Sequence, residues 1–266
     1  MIPYFELPAL QLPFGQKIDV FGVLSTLGVI VGAWIAERAA RRYWPGTVEP
    51  LRGVVPWLVG LGLVGGHAMH VFAYHPELLT SRDPLLVFRI WDGLSSTGGV
   101  LGALVGLFIY FRRIGRPVSP YLDALALGTA PGWAIARVGC FLVHDHPGVK
   151  TDFLLAVAFP GGARHDLGLY DVFVLLAITA VLFTLSRKRP PEGRLMGWLA
   201  VLYAPCRFAL DFLRASDLSF VDRRYAGLTP AQYVVVGLFG IGVWLLVRNA
   251  PALGPEPRAA GGENGS

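Results

Sequence analysis

Apolar residues in this chain run in long blocks rather than in strict alternation. Blocks at 18–36, 54–74, 93–111, 121–143, 168–186, 195–213 and 230–248 are each long enough to cross a bilayer as a helix. Polar and basic residues gather between them. The pattern predicts an all-α integral membrane protein with seven transmembrane helices, forming one domain over residues 1–250. Residues 251–266, "PALGPEPRAAGGENGS", have the Pro- and Gly-rich composition of a disordered tail. The opening "MIPYFELPALQLPFG" has no basic segment ahead of an apolar core, so no cleavable signal peptide is expected. It is expected to lie as a short arm on the membrane surface.

Composition supports this class. Hydrophobic residues make up 54% and charged residues 15%, with a mean hydropathy of +0.54, which argues against a soluble metabolic enzyme. The net charge of +5 is spread over loops rather than one basic face, so no nucleic-acid partner is expected. Basic residues also set an orientation. With the N-terminus outside, the inner segments carry 13 of the Lys and Arg residues and the outer segments 8. The expected topology has the N-terminus periplasmic and the tail cytoplasmic.

Some polar residues stand inside the blocks, where a charge costs roughly 3 kcal/mol on insertion scales. In that orientation Arg137 lies about 24 Å from the inner end of its span and Arg207 about 18 Å, at 1.5 Å per residue. His67, His70, Thr97, Asp19, Asp171 and Asp211 fall at the same outer depth, and only Asp123 sits near the inner face. Tyr203, Arg207 and Asp211, at i, i+4 and i+8, share one helical face. Neutralisation by Asp211 and Tyr203 accounts for Arg207 taken alone. Two arginines at one depth point instead to a shared anion, and a phospholipid phosphate suits guanidinium geometry.

The loop "RVGCFLVHDHPG", 137–148, carries His144, Asp145 and His146 at a water boundary, where proton transfer is useful and a plain solvated loop is equally natural. His-x-His is half a zinc site, but no third and fourth ligand is evident, so no metal and no cofactor are expected. Arg164, His165 and Asp166 precede the fifth block and are expected to cover the same mouth. Cys140 and Cys206 suggest no disulfide framework, and each is expected as a small apolar filler. Gly98, Gly102 and Gly106 fall four apart, on one face of a helix, where small residues let a second helix approach.

Five segments carry a resemblance. "WDGLSSTGG" (91–99), "RVGCF" (137–141), "RHDLGLYD" (164–171), "YAPCRFALDFLR" (203–214) and "GLTPAQ" (227–232) occur in order along the seven blocks. Together they resemble the prolipoprotein diacylglyceryl transferases of bacterial inner membranes, and the likeness covers nearly the whole chain. It implies transfer of a diacylglyceryl group from phosphatidylglycerol to the thiol of a lipobox cysteine in a prolipoprotein signal peptide, at the outer leaflet. The partners implied are that lipid, that peptide and the surrounding membrane lipids. Arg137 and Arg207 match the family's two arginines thought to hold the lipid phosphate. Tyr203 and Gly148 match a family tyrosine and glycine, and Asp145 stands for a family acid. Thr97-Gly98-Gly99 replaces the family's His-Gly-Gly, and Phe21-Gly22 its Tyr-Gly.

Thr97 lacks a comparable pKa, so this is a divergent member. Either His144 or His146, with Asp145, has taken over as base, or the protein serves another acceptor, or it is a non-catalytic lipid-binding paralogue. The expected site is therefore Arg137, Arg207, Asp145, His144 and His146 for catalysis. Tyr203, Thr97, Gly98, Gly99 and Gly148 are expected to bind substrate.

Overall fold

The computed structural model describes residues 1–8, 10–11, 17–80, 93–188, 190–218 and 222–248. Trp91, Asp92 and the expected tail at 251–266 lie outside the described residues.

Among the described residues seven long helices follow one another: α1 (Val20–Tyr43), α2 (Val48–Met69), α3 (Ser96–Arg113), α4 (Ser119–Val143), α5 (Leu167–Ser186), α6 (Arg194–Leu210) and α7 (Pro230–Val247). A π-helical turn at His70–Tyr74 prolongs α2. Among the described residues six helical segments are long and apolar enough to cross a membrane. The one left out, α3, is as long as α7 but ends on Arg112 and Arg113, which lower its apolar content.

The architecture is predominantly helical, as expected of an all-α membrane protein, and adds a small sheet at one end of the bundle. Between α4 and α5 the chain forms β4 (Pro147–Lys150), β5 (Val157–Phe159) and β6 (Gly162–Asp166), where the sequence suggested only a loop. These strands of three to five residues are too short to show a two-residue period against their apolar surroundings. The N-terminal β1 (Ile2–Pro3) pairs in parallel with β5, giving the order β1-β5-β6-β4. The start of the N-terminal segment is thus tied to a sheet edge. A second, two-stranded ribbon pairs β2 (Leu10–Gln11) with β3 (Lys17–Ile18).

Glycines decide the helix pairing. A Cβ at Gly28 of α1 would stand 2.3 Å from the Gly132 carbonyl oxygen of α4, and one at Gly128 would stand 2.2 Å from that of Gly32. On the second pair, a Cβ at Gly102 of α3 would stand 2.0 Å from the Leu61 carbonyl oxygen of α2. Backbones at this distance gain dispersion contacts where lipid supplies no hydrophobic drive between helices. The Gly98/Gly102/Gly106 stripe is therefore the seam between α3 and α2. Leu127, Leu175, Leu182 and Leu195 fill the core among α4, α5 and α6. By contrast α1 and α2 make few contacts with each other.

At the end of the bundle away from the sheet, Asp123 caps α6 by accepting from the Gly193 and Leu195 amides at 2.9 and 2.8 Å. Glu37 pairs with Arg41 at 2.7 Å and with Arg52 at 2.6 Å.

Gly102→Leu is expected to abolish the folded protein, at a cost above about 3 kcal/mol, because backbone, not a movable side chain, occupies the space. Gly240→Leu, with nothing near its would-be Cβ, is expected to leave melting in detergent almost unchanged. Equal melting temperatures for the two variants would show that the seam does not hold the fold.

Candidate active site

Helices α1, α3, α5 and α7 all begin at the sheet end of the bundle. Each is capped by a side chain: Asp19 accepts from Gly22 N, Ser95 from Gly98 N, Asp166 from Leu169 N and Thr229 from Gln232 N. Four helix N-termini give that end a positive potential suited to an anion.

Helix α4 delivers Arg137 and, one turn later, Cys140 to the same end. The helix stops at His144, which adopts a left-handed conformation (φ 51°), and the chain folds back over the last turn. The Asp145 amide donates to the Cys140 carbonyl at 3.4 Å. This turn sends neighbouring histidines into different surroundings. His144 is buried, with Nδ1 2.8 Å from Asp166 Oδ2 and its ring against Tyr4, Phe5 and Phe159. It ties the end of α4 to the start of α5, and it does not line the cleft described below. His146 faces the interior, with Nε2 3.5 Å from Arg137 Nη1 and Nδ1 bonded to Asp145.

The Arg137 guanidinium is buried and held on one side only. Its Nε lies 3.2 Å from Asp171 Oδ2. Its Nη groups reach Cys140 Sγ at 3.6 Å, His146 Nε2 at 3.5 Å and Ser96 Oγ at 3.5 Å. Charge-assisted bonds run about 2.7–2.9 Å, so this edge is loosely engaged and open to an anion. Burial opposes the charge of Asp145, yet its bond to His146 and the charges of His146 and Arg137 outweigh that and hold the carboxyl below its ordinary range. Burial keeps the His146 imidazole below its ordinary value, in spite of Asp145. Near neutral pH the pair is an ionised carboxylate beside a neutral imidazole, the state that accepts a proton.

These groups stand at the head of a cleft of about 1180 Å³ between the α1/α4 and α2/α3 pairs. It runs from Asp19, Arg137, Asp145 and His146 at the sheet end to Glu37 and Arg52 at the other. Between those ends its walls are mostly apolar, including Val29, Leu58, Leu63 and Trp133. The volume exceeds a usual small-molecule site. A polar head on a long apolar slot matches a lipid.

Arg207 stands one layer behind, outside the cleft lining. Its Nη2 lies 2.6 Å from Asp211 Oδ1, and its buried Nη1 has no hydrogen-bond partner among the described residues. Asp211 is also bonded by Thr229 and Arg214. The two arginines thus each have a carboxylate, Asp171 and Asp211, where the sequence suggested an anion shared by both. Tyr203 fills the space between them, its hydroxyl 3.5 Å from Asp171 Oδ1 and its ring 4.6 Å from that of Trp133.

The remaining expected residues divide. Gly99 lines the cleft, whereas Gly98 packs on α2, where a Cβ would stand 2.2 Å from the Gly65 carbonyl. Thr97 faces the Tyr74 phenol, not the cleft. Gly148 bridges to Arg214 and accepts from Arg164 at 3.1 Å, which docks the sheet on the segment after α6. Arg164 also forks onto Asp217 at 2.8 and 2.6 Å. The sequence left Ser96 unmarked, gave Asp171 a depth but no role, and suggested no chemistry for Cys140. Ser96 and Asp171 both touch Arg137, and Cys140, taken for filler, lines the cleft beside it. The legible signals were the shared depth of Asp171 and Arg137 and the three-residue step from Arg137 to Cys140.

The model of the family described as prolipoprotein diacylglyceryl transferase matches residues 8–248. The chain belongs to the prolipoprotein diacylglyceryl transferase family. It is 32% identical to the phosphatidylglycerol–prolipoprotein diacylglyceryl transferase of Nitratidesulfovibrio vulgaris (strain Miyazaki F), over 97% of this chain and all of that protein. It is similar to the proteins of the same name from Pseudomonas fluorescens, at 31% over 97% of the chain, and Pseudomonas paraeruginosa, at 29% over 98%, each covered in full. The family expectation drawn from the five motifs is met, and the likeness spans the helices and the sheet alike.

Proposed function

We propose that this protein moves a diacylglyceryl group from phosphatidylglycerol to the lipobox cysteine thiol of a prolipoprotein, at the outer leaflet of the bacterial inner membrane. The observation that carries the reading is Arg137, with an open Nη edge, at the head of a lipid-length cleft beside an Asp145–His146 pair. The acyl chains occupy the apolar slot and the phosphate lies against Arg137 and the start of α3. His146 takes the thiol proton. The sulfur attacks the glyceryl carbon as its bond to the phosphate oxygen breaks, and glycerol phosphate leaves with the electron pair. Arg137 and the helix N-termini stabilise that developing charge. Asp171 orients Arg137. Arg207 positions this layer through its field and Tyr203. His144 serves the fold, not the proton.

The topology in this proposal has seven spans, α3 included, with the N-terminus periplasmic and the chain after Arg248 cytoplasmic. A reporter fused after Arg248 is expected to be active only in the cytoplasm, and one inserted at 160–161 only in the periplasm. The reverse pattern would move the site to the inner leaflet and exclude the lipoprotein acceptor. The reaction is tested with the full chain in phosphatidylglycerol vesicles and a lipobox peptide, by mass analysis of the peptide. A diacylglyceryl mass gain that needs the peptide cysteine supports it. A folded protein that binds the lipid without modifying the peptide would leave the non-catalytic reading.

A further inference from the structure

The outward face of α5 continues past the end of the helix. Among the described residues α5 is one of the helices long and apolar enough to cross a membrane, and its Phe173, Leu176 and Phe183 are exposed. Their spacings of three and seven make one stripe, the face a spanning helix turns to lipid. Tyr170 stands three residues before Phe173 on that stripe, half-buried. Its ring meets the Phe153 ring at 6.2 Å, and its hydroxyl lies 2.8 Å from His165 Nδ1. Phe153 also meets the His165 ring, at 6.1 Å. The stripe thus leads from the helix onto the segment between β4 and β5.

That segment makes a tight turn with apolar residues on its outside. The Ala156 amide donates to the Phe153 carbonyl at 2.9 Å, which closes a β-turn with Leu154 and Leu155 at its centre. Turn centres favour Gly, Pro, Asn, Asp and Ser. This one carries two leucines. Leu154 is 75% exposed, more than any other large hydrophobic residue described, and Phe153 beside it is 50% exposed. We infer that Phe153 and Leu154 form a wedge that enters the membrane interface beside α5, with phospholipid of that leaflet as its partner. The inference does not rest on the transfer reading. Only the name of the leaflet, the outer one, follows from the topology proposed above.

Depth agrees with this partner. The 20 residues of α5 span about 30 Å at 1.5 Å per residue, the thickness of a hydrocarbon core. Leu167, the first of them, then lies at the hydrocarbon boundary, and Tyr170 about 5 Å inside it. Tyrosine suits that level, with its ring in the apolar layer and its hydroxyl reaching back to a polar partner, here His165. Phe153 is seated on the same ring, so it and Leu154 stand at the interface rather than out in water. Asp152 precedes them and is exposed. An interfacial depth leaves its carboxylate among headgroups and water, whereas deeper entry would bury it.

The wedge is coupled to the mouth of the cleft. Strand β4 joins the turn to His146, and it is held on β6 and, through Gly148, on Arg214. An anchor at Leu154 therefore sets the height of the sheet over the bundle. It holds the head of the cleft level with the lipid headgroups.

The test uses the full chain in vesicles of phosphatidylglycerol and phosphatidylcholine, with Cys206→Ser to remove the exposed native thiol. A nitroxide label is attached at Leu154→Cys, and at Phe173→Cys as the lipid-facing reference. Cys206→Ser alone, treated with the same reagent, gives the background. Leu154 is exposed enough to be replaced with little loss of packing. The label at 154 should be relaxed more by oxygen, which concentrates in lipid, than by a water-soluble nickel chelate, as at 173. Adding Phe153→Asp should shift the label at 154 toward the chelate, because a carboxylate on the Tyr170 ring resists entry into lipid. A label at 154 that favours the chelate with Phe153 in place overturns the inference. So does one that is shielded only when a lipobox peptide is added, which would give this face to the acceptor instead of to lipid.

Discussion

Arg137→Gln is expected to remove transfer almost completely, with kcat/KM falling by about 10³ or more. Loss of one preorganised donor to a developing oxyanion costs about 10²–10³. Arg137 supplies two Nη groups to the same place, from a site where water competes poorly. The substitution also leaves Asp171 buried without its ion pair, at about 3–5 kcal/mol of stability. A fall in activity alone would therefore be ambiguous. Pairing the change with Asp171→Asn removes the stranded charge, so Arg137→Gln/Asp171→Asn should recover melting while staying inactive. Arg137→Lys keeps a charge but loses the fork, and should recover only a small part of the rate. Retention of wild-type kcat/KM in the folded double variant would place the phosphate elsewhere.

His146→Ala should lower turnover by about 10²–10⁴, the usual range for a positioned proton acceptor. The contrast with its neighbours is the decisive part. His144→Ala should cost about 1–3 kcal/mol of stability, because it strands the Asp166 carboxylate, yet leave turnover per folded molecule close to normal. Thr97→Ala should stay within about threefold of wild type, since Thr97 faces Tyr74 and not the cleft. For the same reason, Thr97→His in the His146→Ala background should not restore transfer. Rates are compared at equal folded protein, judged by gel filtration and melting. If His144→Ala and His146→Ala fall equally at matched folded concentration, the separation of their roles is wrong.

These expectations mix what the chain shows by itself with what packing adds. The long helices were legible because bilayer thickness sets the length of an apolar block, whatever packs beside it. The pairing glycines were legible by their four-residue spacing, although only the structure shows that Gly98, Gly102 and Gly106 meet α2. Arg137 stood out because a buried guanidinium in lipid demands a counter-charge, and Asp171 answers it from a helix far along the chain. The family motifs fixed membership from the same residues.

Other features needed the tertiary structure. The short strands between α4 and α5 hold together by pairing with each other and with Ile2–Pro3, contacts too distant in sequence to show as a period. Depth placed Arg137 and Arg207 together, but depth is one coordinate. The rotation of α4 and α6 about their axes puts one at the cleft and the other behind Tyr203. His144 and His146 are alike in the sequence, and a single left-handed residue turns one into an aromatic pocket and the other toward Arg137. That same turn carries Asp145 and His146 back to Cys140. Sequence by itself determined which residues are costly in a membrane, since that follows from composition and length. Which of them share a cleft was decided by helix rotation and one reversed turn, because side-chain direction depends on backbone geometry that residue spacing does not encode.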